Sequence, residues 1–260
     1  MNTLFHNCLV VWMVVFMVSA EVLNGYGVLG IDKEYIVGKY LLSLEKIRDE
    51  IIVYRRSINN NVLVEQKIIG FDKVLITPFY PVLLPRKITS FVLVDFSEKI
   101  RLAPNSYTEI YIYIPVDIAV YVYRDTNFDI IDVIEGADPK YALYGSTSMG
   151  VIARYSVSKT YVSEPEPVFG KAVSLLKIHN TLDEWVLFTQ ILLDSNNLSI
   201  YYREKSWKAY TQEINVTINS KTTASIKYGR SFRKGLRRID DPKDFKPPRI
   251  SPGTEMLWGI

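Results

Sequence analysis

Four tyrosines at alternate positions, Tyr111, Tyr113, Tyr121 and Tyr123, form the strongest chemical pattern in the chain. They interleave with Ile110, Ile112 and Ile114 in one run and with Ile118, Val120 and Val122 in the next. In extended strands this alternation sends aliphatic groups to one face and phenol rings to the other. Pro115-Val116 between the runs permits an antiparallel pair, which would gather the four rings on one surface. Such a surface stacks on bases or sugars, or anchors a partner protein. The plainer reading is that tyrosine, a favoured strand residue, covers a half-buried sheet.

Positive charge supplies the second pattern. Arg230, Arg233, Lys234, Arg237 and Arg238, followed by Lys243, Lys246 and Arg249, face only Asp240, Asp241 and Asp244. The whole chain has a formal charge of only +3, so its basicity belongs to the segment after Gly229. A flexible basic tail neutralises nucleic-acid phosphates or meets an acidic membrane surface, with Phe232 and Phe245 available to stack. A solvated terminus with no readout gives the same composition.

Catalytic and metal chemistry finds little to work with. One cysteine and two histidines cannot build a thiolate or imidazole cage, so no metal and no cofactor is expected. His179, without an acidic or cysteine neighbour at ligand spacing, is read as structural. Gly145-Ser146-Thr147-Ser148-Met149-Gly150 lacks the Lys-Ser/Thr of a phosphate loop, having Val151-Ile152 instead, and reads as a tight turn. Asp117, Asp125, Asp129, Asp132, Glu135 and Asp138 are dense, yet Asp129 and Asp132 fall on opposite faces of one strand. Only carboxylates converging from separate strands would make a hydrolase. No catalytic residue is assigned.

The elements that must position these residues are strands. Runs such as Phe91 to Phe96, Glu109 to Ile114, Ala172 to Ile178 and Tyr210 to Ile218 are rich in β-branched and aromatic residues and end at Pro, Asn, Asp or Gly. Asn59-Asn60-Asn61 marks Ile51 to Ile69 as a hairpin. Pro78, Pro81 and Pro85 rule out an internal strand over Thr77 to Arg86 and predict an extended connection along an edge. No window of helical length keeps a capped apolar stripe. The fold class is therefore all-β: an antiparallel β-sandwich of two packed sandwich-like units, with an N-terminal apolar helix and an irregular basic C-terminal tail.

The expected organisation is an apolar leader over residues 1–30 and an N-terminal domain over 31–163. A Pro/Glu linker over 164–170, a smaller β domain over 171–228 and the tail over 229–260 complete it. Within the leader, Cys8 to Ala20 is unbroken apolar sequence, and Val18-Ser19-Ala20 suits a cleavage site, but no Lys or Arg precedes it. Two origins give this pattern: an exported or membrane-anchored protein, or a cytoplasmic one whose start codon is wrongly assigned. Only three glutamines occur beside abundant charge, a thermophile-like balance that thirteen asparagines oppose.

Three stretches together resemble a known family. They are Pro78 to Ile88; Pro139-Lys140-Tyr141-Ala142-Leu143-Tyr144-Gly145 with Gly150-Val151-Ile152-Ala153-Arg154-Tyr155; and Ile178-His179-Asn180-Thr181-Leu182-Asp183-Glu184-Trp185. The series resembles an archaeal domain-of-unknown-function family, number 432, over roughly residues 36–228. The resemblance implies an archaeal, β-rich protein and transfers no activity; Pro139, Lys140, Tyr141, Tyr144, Gly145 and Trp185 are its motif residues. The expected function is binding or scaffolding of an unknown protein partner, through the tyrosine face or the basic tail. A nucleic-acid accessory protein is the first alternative and requires both surfaces to line one groove. A hydrolase of sugar or phosphate esters is the second.

Overall fold

Alternating β-branched and aromatic residues form strands from the first described residues onward. The structure, a computed structural model, describes residues 20–48, 51–58, 62–70, 73–82, 88–124, 127–239 and 254–257. Strands β1 (Glu21–Val22), β2 (Gly27–Leu29), β3 (Lys33–Val37), β4 (Tyr40–Arg48), β5 (Ile51–Ile58), β6 (Val62–Ile69) and β7 (Lys73–Phe79) open the chain. Next come β8 (Phe91–Leu102), β9 (Ser106–Pro115), β10 (Asp117–Arg124), β11 (Asn127–Ile134), β12 (Lys140–Tyr144) and β13 (Val151–Ser158). Then follow β14 (Lys171–Asn180), β15 (Val186–Asp194), β16 (Ile200–Tyr202), β17 (Ala209–Ile218), β18 (Thr223–Ser231), β19 (Arg237–Arg238) and β20 (Thr254–Leu257). A single 3₁₀ turn, Ser195–Asn197, is the only helical element among the described residues. The fold is all-β, and the expected N-terminal apolar helix falls outside the described residues.

Four sheets result. Their orders are β1-β3-β4-β5-β6; β11-β10-β7-β2; β12-β13-β8-β15; and β19-β16-β17-β14-β9, with β18 and β20 attached to the last through β17. Most pairs are antiparallel, but β1 with β3, β13 with β8 and β14 with β17 run parallel. The purely antiparallel expectation is corrected there, because each parallel partner is reached only by a crossover through other strands. One buried cluster draws on every sheet, from Leu42 and Tyr54 through Ile76, Val94 and Ile112 to Val216.

Two expected hairpins fare differently. β5 pairs with β6 antiparallel, as the asparagine run suggests, although residues 59–61 themselves lie outside the described residues. β9 and β10 do not pair. β9 runs against β14 in register from Ser106↔Asn180 to Pro115↔Lys171, whereas β10 lies between β7 and β11. A two-residue hairpin needs positive φ at its centre, which Pro115-Val116 cannot give. Val116 is instead fully buried, its N–H donating to the Gly170 carbonyl at 2.9 Å as the chain passes from one sheet to another.

The proline segment is also corrected. Thr77, Pro78 and Phe79 complete β7, an internal strand of its sheet, with Pro78 opposite Ile118. Proline is tolerated because β2 pairs only with Val74, Leu75 and Ile76, leaving β7 a single neighbour at residue 78. Residues 83–87 lie outside the described residues.

The expected boundary at 164–170 does not divide the sheets. β9 from the first expected domain pairs with β14 from the second, and β8 pairs with β15. The leader and tail are partly folded too. Within 21–30, β2 enters a sheet, and Tyr26 and Leu29 are buried. Within the tail, β19 joins β16, Ile239 is buried, and β20 pairs with β18.

Candidate functional site

Strand register alone builds one unusual surface. Across the sheet, Arg238 stands opposite Tyr201, Tyr201 opposite Tyr210, Tyr210 opposite Val173, and Val173 opposite Tyr113. Registered neighbours share a face, so a row of three tyrosines runs over five strands and ends at an arginine. The face behind carries Ile110, Ile112 and Ile114 into the main core, as alternation predicts for β9. Tyr113, Val173 and Tyr210 make a second, separate apolar cluster with Tyr111, Tyr161, Tyr201, Phe232 and Leu236.

Two segments lie over this row. Phe232, just beyond β18, meets the Tyr210 ring at 5.8 Å and the Tyr111 ring at 6.1 Å, both edge to face. Tyr161 meets Tyr113 at 5.5 Å, and the Tyr113 hydroxyl donates to the Glu166 carbonyl. Gly235, at φ +72, turns the chain from Phe232 back into β19. The Glu164-Pro165-Glu166-Pro167 stretch, expected as a linker, thus lies against the tyrosine row.

At the end of the row the face becomes basic. Arg203 lies two residues beyond Tyr201, Lys208 two before Tyr210, and the Arg203 N–H donates to the Lys208 carbonyl at 3.0 Å. Strand alternation therefore puts both cations on the tyrosine side. With Arg233, Lys234, Glu164, Tyr210, Phe232 and Leu236 they line a concavity of about 540 Å³. Among the described lining residues four cations face one carboxylate, and that carboxylate is occupied. Glu164 Oε1 accepts from the Tyr210 hydroxyl at 2.7 Å, while its other oxygen meets the Arg233 guanidinium. Burial pushes the Tyr210 phenol above its usual range, opposed by Arg203 and assisted by Glu166. No ion-pair partner of Arg203, Lys208 or Lys234 is found among the described residues.

The structure thus brings together part of each expected site. Tyr111 and Tyr113 join Arg233 and Lys234 around Phe232. Tyr121 and Tyr123 are elsewhere: Tyr121 is fully buried, 6.5 Å from Phe79 and 5.9 Å from Phe128, and Tyr123 packs at 5.7 Å on Phe128. The expected four-tyrosine surface therefore does not form, because β10 is covered on both faces. Arg237 pairs with Glu204 at 2.8 Å, Arg238 borders the tyrosine row, and Arg230 is exposed on β18. Arg203, Lys208, Glu164 and Tyr210 were not singled out by the sequence patterns. Their signal is the mirrored Tyr201-x-Arg203 and Lys208-x-Tyr210, legible only once the turn between them is placed.

The dense carboxylates are taken up by cations, two of them by one lysine. Asp117 pairs with Arg154 at 2.6 Å, Asp132 with Arg56 at 2.7 Å and with the Tyr54 hydroxyl at 2.6 Å, and Glu135 and Asp138 with Lys39. No group of three or more potential metal-ligating side chains occurs among the described residues. The motif residues have structural placements. Lys140, Tyr141 and Tyr144 lie on β12 after Pro139, and Gly145, at φ +96, begins the turn to β13 as read from sequence. Trp185 is 68% exposed, next to a turn that Asn180 holds by donating to the Ala103 and Glu184 carbonyls.

A family model described as "Protein of unknown function (DUF432)" matches residues 25–255, wider at both ends than the motifs suggested. No curated protein and no solved structure matches the chain.

Proposed function

Because the chain belongs to the DUF432 family of unknown function, its role is read from its own site, and we propose that it is a binding protein whose pocket takes a phosphate-rich anion. One observation carries this reading: Arg203, Lys208 and Lys234 converge on one concavity, and the one carboxylate among its described lining residues already serves Arg233 and Tyr210. Like charges held together repel, so a multivalent anion relieves a cost the free protein carries. The tyrosines then act as a floor that holds Phe232 and its neighbouring cations in place. In this proposal the sheets are sandwich-like layers on the shared core, with the pocket on an outer face.

A protein partner docked on exposed tyrosines is less favoured, because Tyr113 and Tyr210 are only 8% and 6% exposed. Titration calorimetry with inorganic tripolyphosphate tests the proposal. The intact chain binds it, and Arg203→Ala/Lys208→Ala/Lys234→Ala lowers affinity at least tenfold with an unchanged circular-dichroism spectrum. Equal binding by both proteins, or by neither, overturns the reading.

A further inference from the structure

We infer that the polyanion taken by this pocket is a single nucleic-acid strand, from the way cations and half-buried rings alternate along one sheet face into a concavity of about one nucleotide's size. The inference rests on the anion-binding reading above and specifies its ligand.

Alternation is the first argument. Arg238 stands beside Tyr201 in register, Arg203 follows two residues along the same face, and Phe232 is followed directly by Arg233 and Lys234. Tyr201 and Phe232 are half-buried, so part of each ring remains accessible beside a cation. A single strand offers the matching repeat, a phosphate and then an unstacked base with a free π-face. An isolated phosphate cluster would need the rings only as a floor and would leave their accessible parts unused.

Size and shape give the second. About 540 Å³ suits one or two nucleotides at most and falls within the usual range of small-ligand clefts. A duplex carries its phosphates on a convex outer surface with its bases stacked inside, so it reaches neither the concavity nor the rings. A single strand can splay a base onto Phe232 while its backbone continues past Arg238.

Fluorescence anisotropy with the full chain tests this, using labelled single strands of ~12 nucleotides, the matching duplex, and tripolyphosphate as competitor. Single-stranded DNA or RNA is expected to bind at least tenfold more tightly than duplex. Log affinity should fall with log salt at a slope of about −2 to −3, as for three or four neutralised phosphates. The triple variant at Arg203, Lys208 and Lys234 flattens that slope by about 2. Phe232→Leu, which keeps an apolar side chain over Tyr210, lowers strand affinity roughly tenfold more than it lowers tripolyphosphate affinity. Duplex binding equal to single strand, or binding of anionic lipid vesicles in place of oligonucleotides, overturns the inference. Tripolyphosphate binding without strand binding overturns the inference alone; absence of both removes the anion-binding reading as well.

Discussion

Arg154 and Asp117 show how an isolated side chain can commit the whole fold. Their side chains are 3% and 0% exposed, 2.6 Å apart, and Arg154 also reaches the Ala137 carbonyl at 3.4 Å. They tie β13 to β10 across two different sheets. A buried pair adds little net stability over apolar replacements, yet breaking it strands an uncompensated charge. Asp117→Ala is therefore expected to cost about 3–5 kcal/mol, and Asp117→Leu/Arg154→Met to recover most of that loss. Urea midpoints of the three proteins check this, and a double variant as weak as the single one would refute the pairing. Sequence placed Arg154 inside a family-like motif without revealing its task. An arginine in a strand reads as solvent-facing until the sheet packed on it is known.

At the scale of elements, two glycines fix the wall of the pocket. Gly170, at φ +71, sits so close to Gly136 that a Cβ on it would lie 2.2 Å from the Gly136 carbonyl oxygen. Together they lock the end of the 164–168 stretch against the chain leaving β11. Gly170→Ala meets both a left-handed backbone and a backbone clash, and is expected to cost about 2–5 kcal/mol. Gly235 has nearly the same φ, +72, but nothing within 4 Å of an added Cβ. Gly235→Ala should thus lose only the backbone part, about 1–2 kcal/mol. Thermal midpoints separate the two, and equal losses would show that the Gly136–Gly170 approach does not matter. Much at this scale was legible: β5, β6, the Gly145 turn and the aliphatic-in pattern of β9 follow from alternation and turn residues. What failed was partner choice. β9 and β10 are separate strands as read, but Pro115-Val116 steers them into different sheets. Pro78 stands on an edge all the same, because a strand can be internal along part of its length and have one neighbour further on. The pocket escaped notice because its cations come from two distant turns, Arg203 to Lys208 and Arg233 to Lys234, and only register aligns them.

The whole molecule is interlocked, and its tyrosines report on that. β8 and β9 precede the Pro/Glu stretch while their partners β15 and β14 follow it, so neither part can complete its sheets alone. Burial raises the phenols of Tyr26, Tyr54 and Tyr228 well above their usual range and pushes Tyr144 up to about 12. These three and Tyr144 belong to, or pack on, the one shared core. An unfolded chain releases phenol protons near pH 10, whereas the folded chain holds them, so the unfolded state binds fewer protons above that point. Stability is then fully present below about pH 10 and falls as pH rises toward the folded values. Because the core is continuous, the buried phenols should not ionise one by one. In an alkaline titration followed by ultraviolet absorbance and circular dichroism together, the buried set of Tyr26, Tyr54, Tyr144 and Tyr228 appears in one step that coincides with loss of the β spectrum. Two separated steps would mean that the parts before and after residue 164 unfold independently. Buried phenols ionising ahead of any spectral loss would mean that the core does not shield them.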